Sequence, residues 1–77
     1  MKADRDPAVL LALSDVDTGL LYSGGRWIED PRFAQFFPDR LTVEQAALEN
    51  QVKAAAIVLV NRTSFEIVAG VFLSPPP

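Results

Sequence analysis

The sequence predicts a small α+β domain, with an antiparallel sheet of about four strands packed against one helix. The expected order is β-β-α-β-β, with a short extra helix ahead of the main one. Three observations predict this. Residues 54–60 form an unbroken apolar run rich in β-branched side chains, residues 65–73 alternate between two faces, and a helix-start signature lies just upstream.

The first strand is expected over residues 8–14, a short apolar run bounded by Pro7 and a turn signal, although a run this short also suits a helix segment. Asp15-Val16-Asp17-Thr18-Gly19 has the Asp-first, Gly-last pattern of a type I turn closed by a left-handed glycine. Residues 20–23 return as the second strand. Gly24-Gly25 permits a bulge or kink, after which Arg26-Trp27-Ile28 continues that strand. Asp30-Pro31 reads as an N-cap followed by proline at the first helical position. Phe33, Phe36 and Phe37 then share one helical face, and Pro38 limits that segment to two turns.

Thr42-Val43-Glu44-Gln45 matches a capping box, with Thr42 as the cap of a helix over residues 43–53. Val43, Ala46 and Ala47, joined by Asn50 and Ala54, would line its inner face, and Glu49 would pair with Lys53 outside. Residues 54–60 are apolar at both alternating sets of positions and belong near the sheet centre. Residues 61–64 read as a four-residue hairpin loop. In the last strand Phe65, Ile67, Ala69, Val71 and Leu73 fall on one face, and Glu66, Val68, Gly70 and Phe72 on the other. One domain is expected over residues 1–77, with residues 1–7 flexible and a proline tail at 75–77 that cannot extend a ladder.

Composition narrows function mainly by exclusion. The chain has no histidine and no cysteine, which removes the usual general base, thiol nucleophiles, thiolate metal sites and disulfides. No enzymatic activity, cofactor or metal is therefore expected, and the missing disulfides point to the cytoplasm. The apolar run near the amino terminus is too short for a signal peptide or membrane span. Seven basic residues against ten acidic give a net charge of −3. The basic residues are scattered, which argues against direct nucleic-acid binding. Residues 1–39 hold seven of the ten acids, so the negative field sits on that half.

Local motifs reduce to turns and caps. Asp17-Thr18-Gly19 has the letters of the aspartic-protease triplet, yet Leu20 stands where that family has a small residue. Asp15, Asp17 and Gly19 resemble part of a calcium loop, but position twelve of that loop is Arg26 rather than glutamate. The aromatic residues Tyr22, Trp27, Phe33, Phe36 and Phe37 crowd into residues 22–37. They form either the core under the short helix or a partly exposed binding loop, since interface hot spots favour Trp, Tyr and Arg. The candidate partner-binding set is Asp15, Asp17, Tyr22, Arg26, Trp27, Glu29, Asp30, Phe33 and Phe37. With 49% apolar residues and a mean hydropathy of +0.18, some apolar surface must stay exposed.

The layout of the capped helix, the run Val52-Lys53-Ala54-Ala55-Ala56-Ile57-Val58-Leu59-Val60, the hairpin and Ile67-Val68-Ala69-Gly70-Val71-Phe72-Leu73, with Trp27-Ile28-Glu29-Asp30-Pro31 upstream, resembles small phage and mobile-element proteins, among them anti-CRISPR inhibitors. The resemblance covers residues 20–73 in arrangement and carries no diagnostic motif. It implies a stoichiometric inhibitor of a CRISPR effector complex, one that occupies a basic nucleic-acid-binding surface. Asp15, Asp17, Glu29, Asp30 and Asp39 would meet Lys and Arg there. The alternative expectation is a self-associating accessory subunit, homodimeric through the aromatic segment or an exposed sheet edge.

Overall fold

A computed structural model describes residues 9–73. The flexible segment expected at residues 1–7, Ala8 of the first expected strand, and the proline tail at 75–77 lie outside them. Among the described residues the chain is an α+β domain in which one helix packs on an antiparallel sheet of six strands rather than about four. The strands are β1 (Val9–Asp15), β2 (Leu20–Ser23), β3 (Arg26–Ile28), β4 (Phe36–Phe37), β5 (Ala55–Asn61) and β6 (Ile67–Phe72). The sheet order is β3-β2-β1-β5-β6, and β4 pairs with β1.

The two additional strands have local causes. Gly24 and Gly25 both take positive φ (54° and 92°), the requirement of a two-residue hairpin turn. The glycines therefore reverse the chain instead of kinking it. Arg26 to Ile28 run back along β2 as a separate strand, pairing Ser23 with Arg26 and Tyr22 with Trp27. The segment after Asp30 is mostly extended rather than helical. Asp30 does cap it, but only one 3₁₀ turn forms, Pro31–Phe33. Phe37 precedes Pro38, a position where the proline ring disfavours helical backbone. Phe36 and Phe37 become extended and pair with Ala12 and Leu11 of β1. Their side chains consequently point to opposite faces, one into each half of the core.

The helix α1 (Arg40–Glu49) starts and ends earlier than its sequence pattern suggests. Asp39, not Thr42, is the N-cap: its carboxylate accepts from the Thr42 backbone N–H at 2.9 Å, and the Thr42 hydroxyl donates to the Asp39 carbonyl at 2.9 Å. At the other end Gln51 takes φ 55°, the Val52 N–H donates to the Ala47 carbonyl, and the Gln51 N–H donates to that of Leu48. This is a Schellman closure with glutamine where glycine is usual. Its physical reason is Val52. On a continued helix, 100° per residue would turn Val52 to the side opposite Val43 and into water. Ending the helix at Glu49 lets Val52 join the core. Lys53 then lies beyond the helix, and the ion pair of α1 is Arg40–Glu44 rather than Glu49–Lys53.

Strand alternation divides the core in two. Leu13, Val43, Ala46, Ala47, Ala55 and Ile57 form the helix-side cluster, and Ala12, Leu21, Ala34, Val58 and Val60 the cluster on the opposite face. Both hairpins entering β2 and β6 close alike. Asp15 accepts from the Asp17 N–H, and the Gly19 N–H donates to the Asp15 carbonyl; Asn61 accepts from the Thr63 and Ser64 N–H groups, and the Phe65 N–H donates to the Asn61 carbonyl. The left-handed closing position is Gly19 in one and Phe65 (φ 60°) in the other. Phe65 therefore belongs to the loop rather than to the last strand. A bulge between Leu59 and Val60 also breaks the single alternation expected in β6. Ile67 lies beside Val60 on the opposite face, whereas Ala69 and Val71 lie beside Leu59 and Ile57 on the helix side.

Three substitutions test the helix ends. Asp39→Ala is expected to cost about 1 kcal/mol in urea unfolding, and more than Thr42→Ala, the reverse of the order a Thr42 cap would give. Gln51→Gly is expected to raise stability by about 0.5–1 kcal/mol, because glycine carries no left-handed penalty. A destabilised Gln51→Gly would contradict the Schellman closure.

Candidate functional site

The nine residues singled out from the sequence separate into four places. Tyr22 and Trp27 are cross-strand partners in edge-to-face contact, with ring centroids 5.5 Å apart. Tyr22 also stacks on Phe37 at 6.4 Å. All three rings pack half-buried against the helix-side cluster, so they chiefly shape the core. Phe36 does the same on the opposite face, against Phe65. Only Phe33 of the aromatic set is truly exposed, at 68%. It sits on the 3₁₀ turn with the Arg32 guanidinium 5.9 Å from its ring centre.

Asp15, Asp17 and Glu29 collect at one end of the sheet. Asp15 pairs with Leu20, and Glu29 follows Ile28, the partner of Leu21. Asp15 spends part of its acceptor capacity on its own turn. Lys53 is the cation at this end, preceding Ala54, whose carbonyl accepts the Val16 N–H. Asp30 stands apart. It caps the 3₁₀ turn and grips Arg32 through both carboxylate oxygens, at 2.8 to 3.3 Å. The side-chain hydrogen bonds from Arg32, then its backbone N–H, hold the Asp30 carboxyl below its ordinary value. That charge is already satisfied within the chain. Arg26 is exposed beside the glycine turn.

The sequence pattern did not single out a further run of exposed apolar residues in β6. In β6, Ile67, Val68, Val71 and Phe72 are all exposed, Phe72 at 70%. Every residue of the strand is exposed, and none is charged. Along its other edge β6 has no strand neighbour among the described residues. Leu41 and Leu48 are also exposed, seven residues apart on the outer ridge of α1. The available signal was the absence of any charge over residues 67–73, in a strand whose hairpin ties it to one neighbour only. Alternation alone suggested two useful faces, whereas neither is covered.

Among the described residues, no three His, Cys, Asp or Glu side chains gather as a metal site. No helix of the described chain is long and apolar enough to cross a membrane. No protein-family model, curated protein or solved structure matches this chain.

Phe37→Ala is expected to destabilise the fold by about 3 kcal/mol, whereas Phe33→Ala should change unfolding by less than about 0.5 kcal/mol. Equal losses would contradict this division between core and surface. Asp30 also makes a pH prediction. Its folded pKa is lowered, so its contribution exists above the ordinary carboxylate value of 3.8 and disappears as pH falls through the folded value. The stability gap between wild type and Asp30→Asn should hold from neutral pH down to the ordinary value of 3.8 and shrink below it, measured by urea midpoints. A gap independent of pH would show that the Arg32 pair contributes nothing.

Proposed function

We propose that this chain is a non-catalytic protein-binding domain, and that its binding element is β6. One observation carries the reading: a six-residue edge strand, uncharged and exposed on both faces. Sheet edges left open in this way attract a further strand, and monomeric proteins normally guard them with charge, proline or a covering loop. The lack of histidine and cysteine supports action through contact rather than catalysis, and the lack of disulfides supports a cytoplasmic setting.

A narrower reading is an inhibitor, encoded by a phage or mobile element, that blocks a host nucleic-acid-binding complex such as a CRISPR effector. The acidic end formed by Asp15, Asp17 and Glu29 supports it, because these carboxylates lie together and could meet a basic surface. The support is local: Asp30 is engaged by Arg32, and Asp39 caps α1.

Both readings are testable with full-length chain. Co-purification from the native host should retain a protein partner with wild type and lose it with Ile67→Lys/Phe72→Lys, in a variant whose circular dichroism is unchanged. The same retention by both would overturn the binding role of β6, and substrate turnover by the purified chain would overturn the non-catalytic reading. For the inhibitor, Asp17→Asn/Glu29→Gln and about 0.5 M salt should each weaken attachment to a CRISPR effector. Salt-independent binding would remove the charge-mimic component.

A further inference from the structure

The occupant of the β6 edge can be argued from the strand itself. The Leu73 N–H donates to the Ala55 carbonyl at 3.0 Å, so Leu73, Val71 and Ala69 direct their backbone groups towards β5. Phe72 and Gly70, the alternate residues, direct theirs outwards. Any added strand must therefore bond to Gly70 and Phe72.

We infer that this edge pairs with β6 of a second copy of the chain, antiparallel about a two-fold axis through Val71. This rests on the reading of β6 as the binding element and names its partner. In that register Gly70 of each copy lies opposite Phe72 of the other and exchanges both backbone hydrogen bonds with it, giving four in all. Val71 faces its own equivalent, and Ala69 faces Leu73 of the second copy. Small stands against large on both faces of the joined sheet, and the ring of Phe72 lies over the space left by Gly70, a pairing that shields a strand glycine. Shifting the axis to Gly70 sets two glycines against each other and places Phe72 opposite Val68, the bulged residue. The absence of charge between Ile67 and Leu73 leaves no like-charge contact across the axis. Self-complementarity of this kind favours a second copy over an unrelated strand, because a two-fold interface needs one strand to fit itself.

The test uses the full chain, whose freedom from cysteine makes an introduced thiol unique. Wild type should show a concentration-dependent monomer–dimer equilibrium in sedimentation. In the proposed register the two Val71 residues form a non-hydrogen-bonded pair with Cα atoms about 4.5 Å apart, within disulfide reach. Val71→Cys should therefore crosslink under mild oxidation at least about tenfold faster than Thr63→Cys on the hairpin loop, a margin of about 1.4 kcal/mol. Val71 is half-exposed, so a charge there is tolerated by the folded monomer. Val71→Lys and Val71→Glu should each be monomeric alone, and a mixture of the two should dimerise. A mixture that stays monomeric, or equal crosslinking at the two thiol positions, overturns the register and the proposal. A strictly monomeric wild type also overturns self-pairing. In that case amide exchange at Gly70 and Phe72 separates two failures. Rapid exchange leaves β6 open for a different protein, whereas protection shows that another part of this chain covers the edge and removes β6 as the binding element.

Discussion

The fold depends on β1 being paired along both of its edges. β5 satisfies one edge over seven residue pairs, from Val9–Asn61 to Asp15–Ala55. The other edge needs two partners in succession. β2 holds Ser14 and Asp15, then diverges, and β4 takes over at Ala12 and Leu11. Buried backbone groups cannot be left unbonded without a cost of about 1–3 kcal/mol each, so the Phe36-Phe37 segment is drawn into extended conformation. The divergence is itself bridged, since the Gln35 N–H donates to the Tyr22 carbonyl and the Gly24 N–H to the Gln35 side chain.

With β1 fixed at the centre, alternation decides which cluster each side chain enters. Leu11 and Leu13 meet α1, whereas Ala12 and Ser14 meet the opposite face. The helix inner surface is Val43, Ala46 and Ala47, small enough to bring its backbone close to the sheet. A single ten-residue helix covers only the middle of a sheet this wide. It packs chiefly over β1, β4 and β5. The limited reach of one short helix accounts for the exposure of Ala69 and Val71 on its own side, whereas Ile67, Gly70 and Phe72 lie on the opposite face, which α1 does not cover.

Much of this was legible in the residues. The Asp15–Gly19 turn, the Asp30 cap, the Val43, Ala46 and Ala47 face of α1 and the apolar run of β5 each rest on a local rule that tertiary structure leaves in force, whereas Asn50, expected on that face, is exposed and Ala54 lies beyond the helix. What escaped was decided by alternatives that share the same letters. Gly24-Gly25 suits a bulge or a reversal, and only the backbone twist of the flanking strands chooses the reversal. Phe36 and Phe37 have helical spacing from Phe33, but the open edge of β1 outweighs it. Asp39 and Thr42 both suit a cap, and the one earlier in the chain gains the Thr42 N–H. For the candidate site, the acidic end was legible as Asp15, Asp17 and Glu29, while Tyr22, Trp27 and Phe37 were drawn into the core. The apolar edge was hidden because alternation marks what a strand offers, not whether anything is placed against it.

Phe65 and Phe72 show how far the chain tolerates local cost on this side of the sheet. Phe65 closes its hairpin in a left-handed conformation that disfavours a bulky residue by about 1–2 kcal/mol, where the matching hairpin uses Gly19. Its compensation is visible: the ring packs beside Phe36 on the opposite-face cluster. Phe72 lies on the same face beside Ala56, yet 70% of it remains in water. Fully burying a ring of that size is worth about 1.5–3 kcal/mol, so its compensation within the described residues is incomplete. One aromatic residue is strained and packed; the other is relaxed and uncovered. A sheet that accepts strain to pack Phe65 while leaving Phe72 exposed beside Gly70 has its unmatched apolar surface at the edge, where no further strand among the described residues continues the ladder. Covering that edge satisfies both shortfalls together.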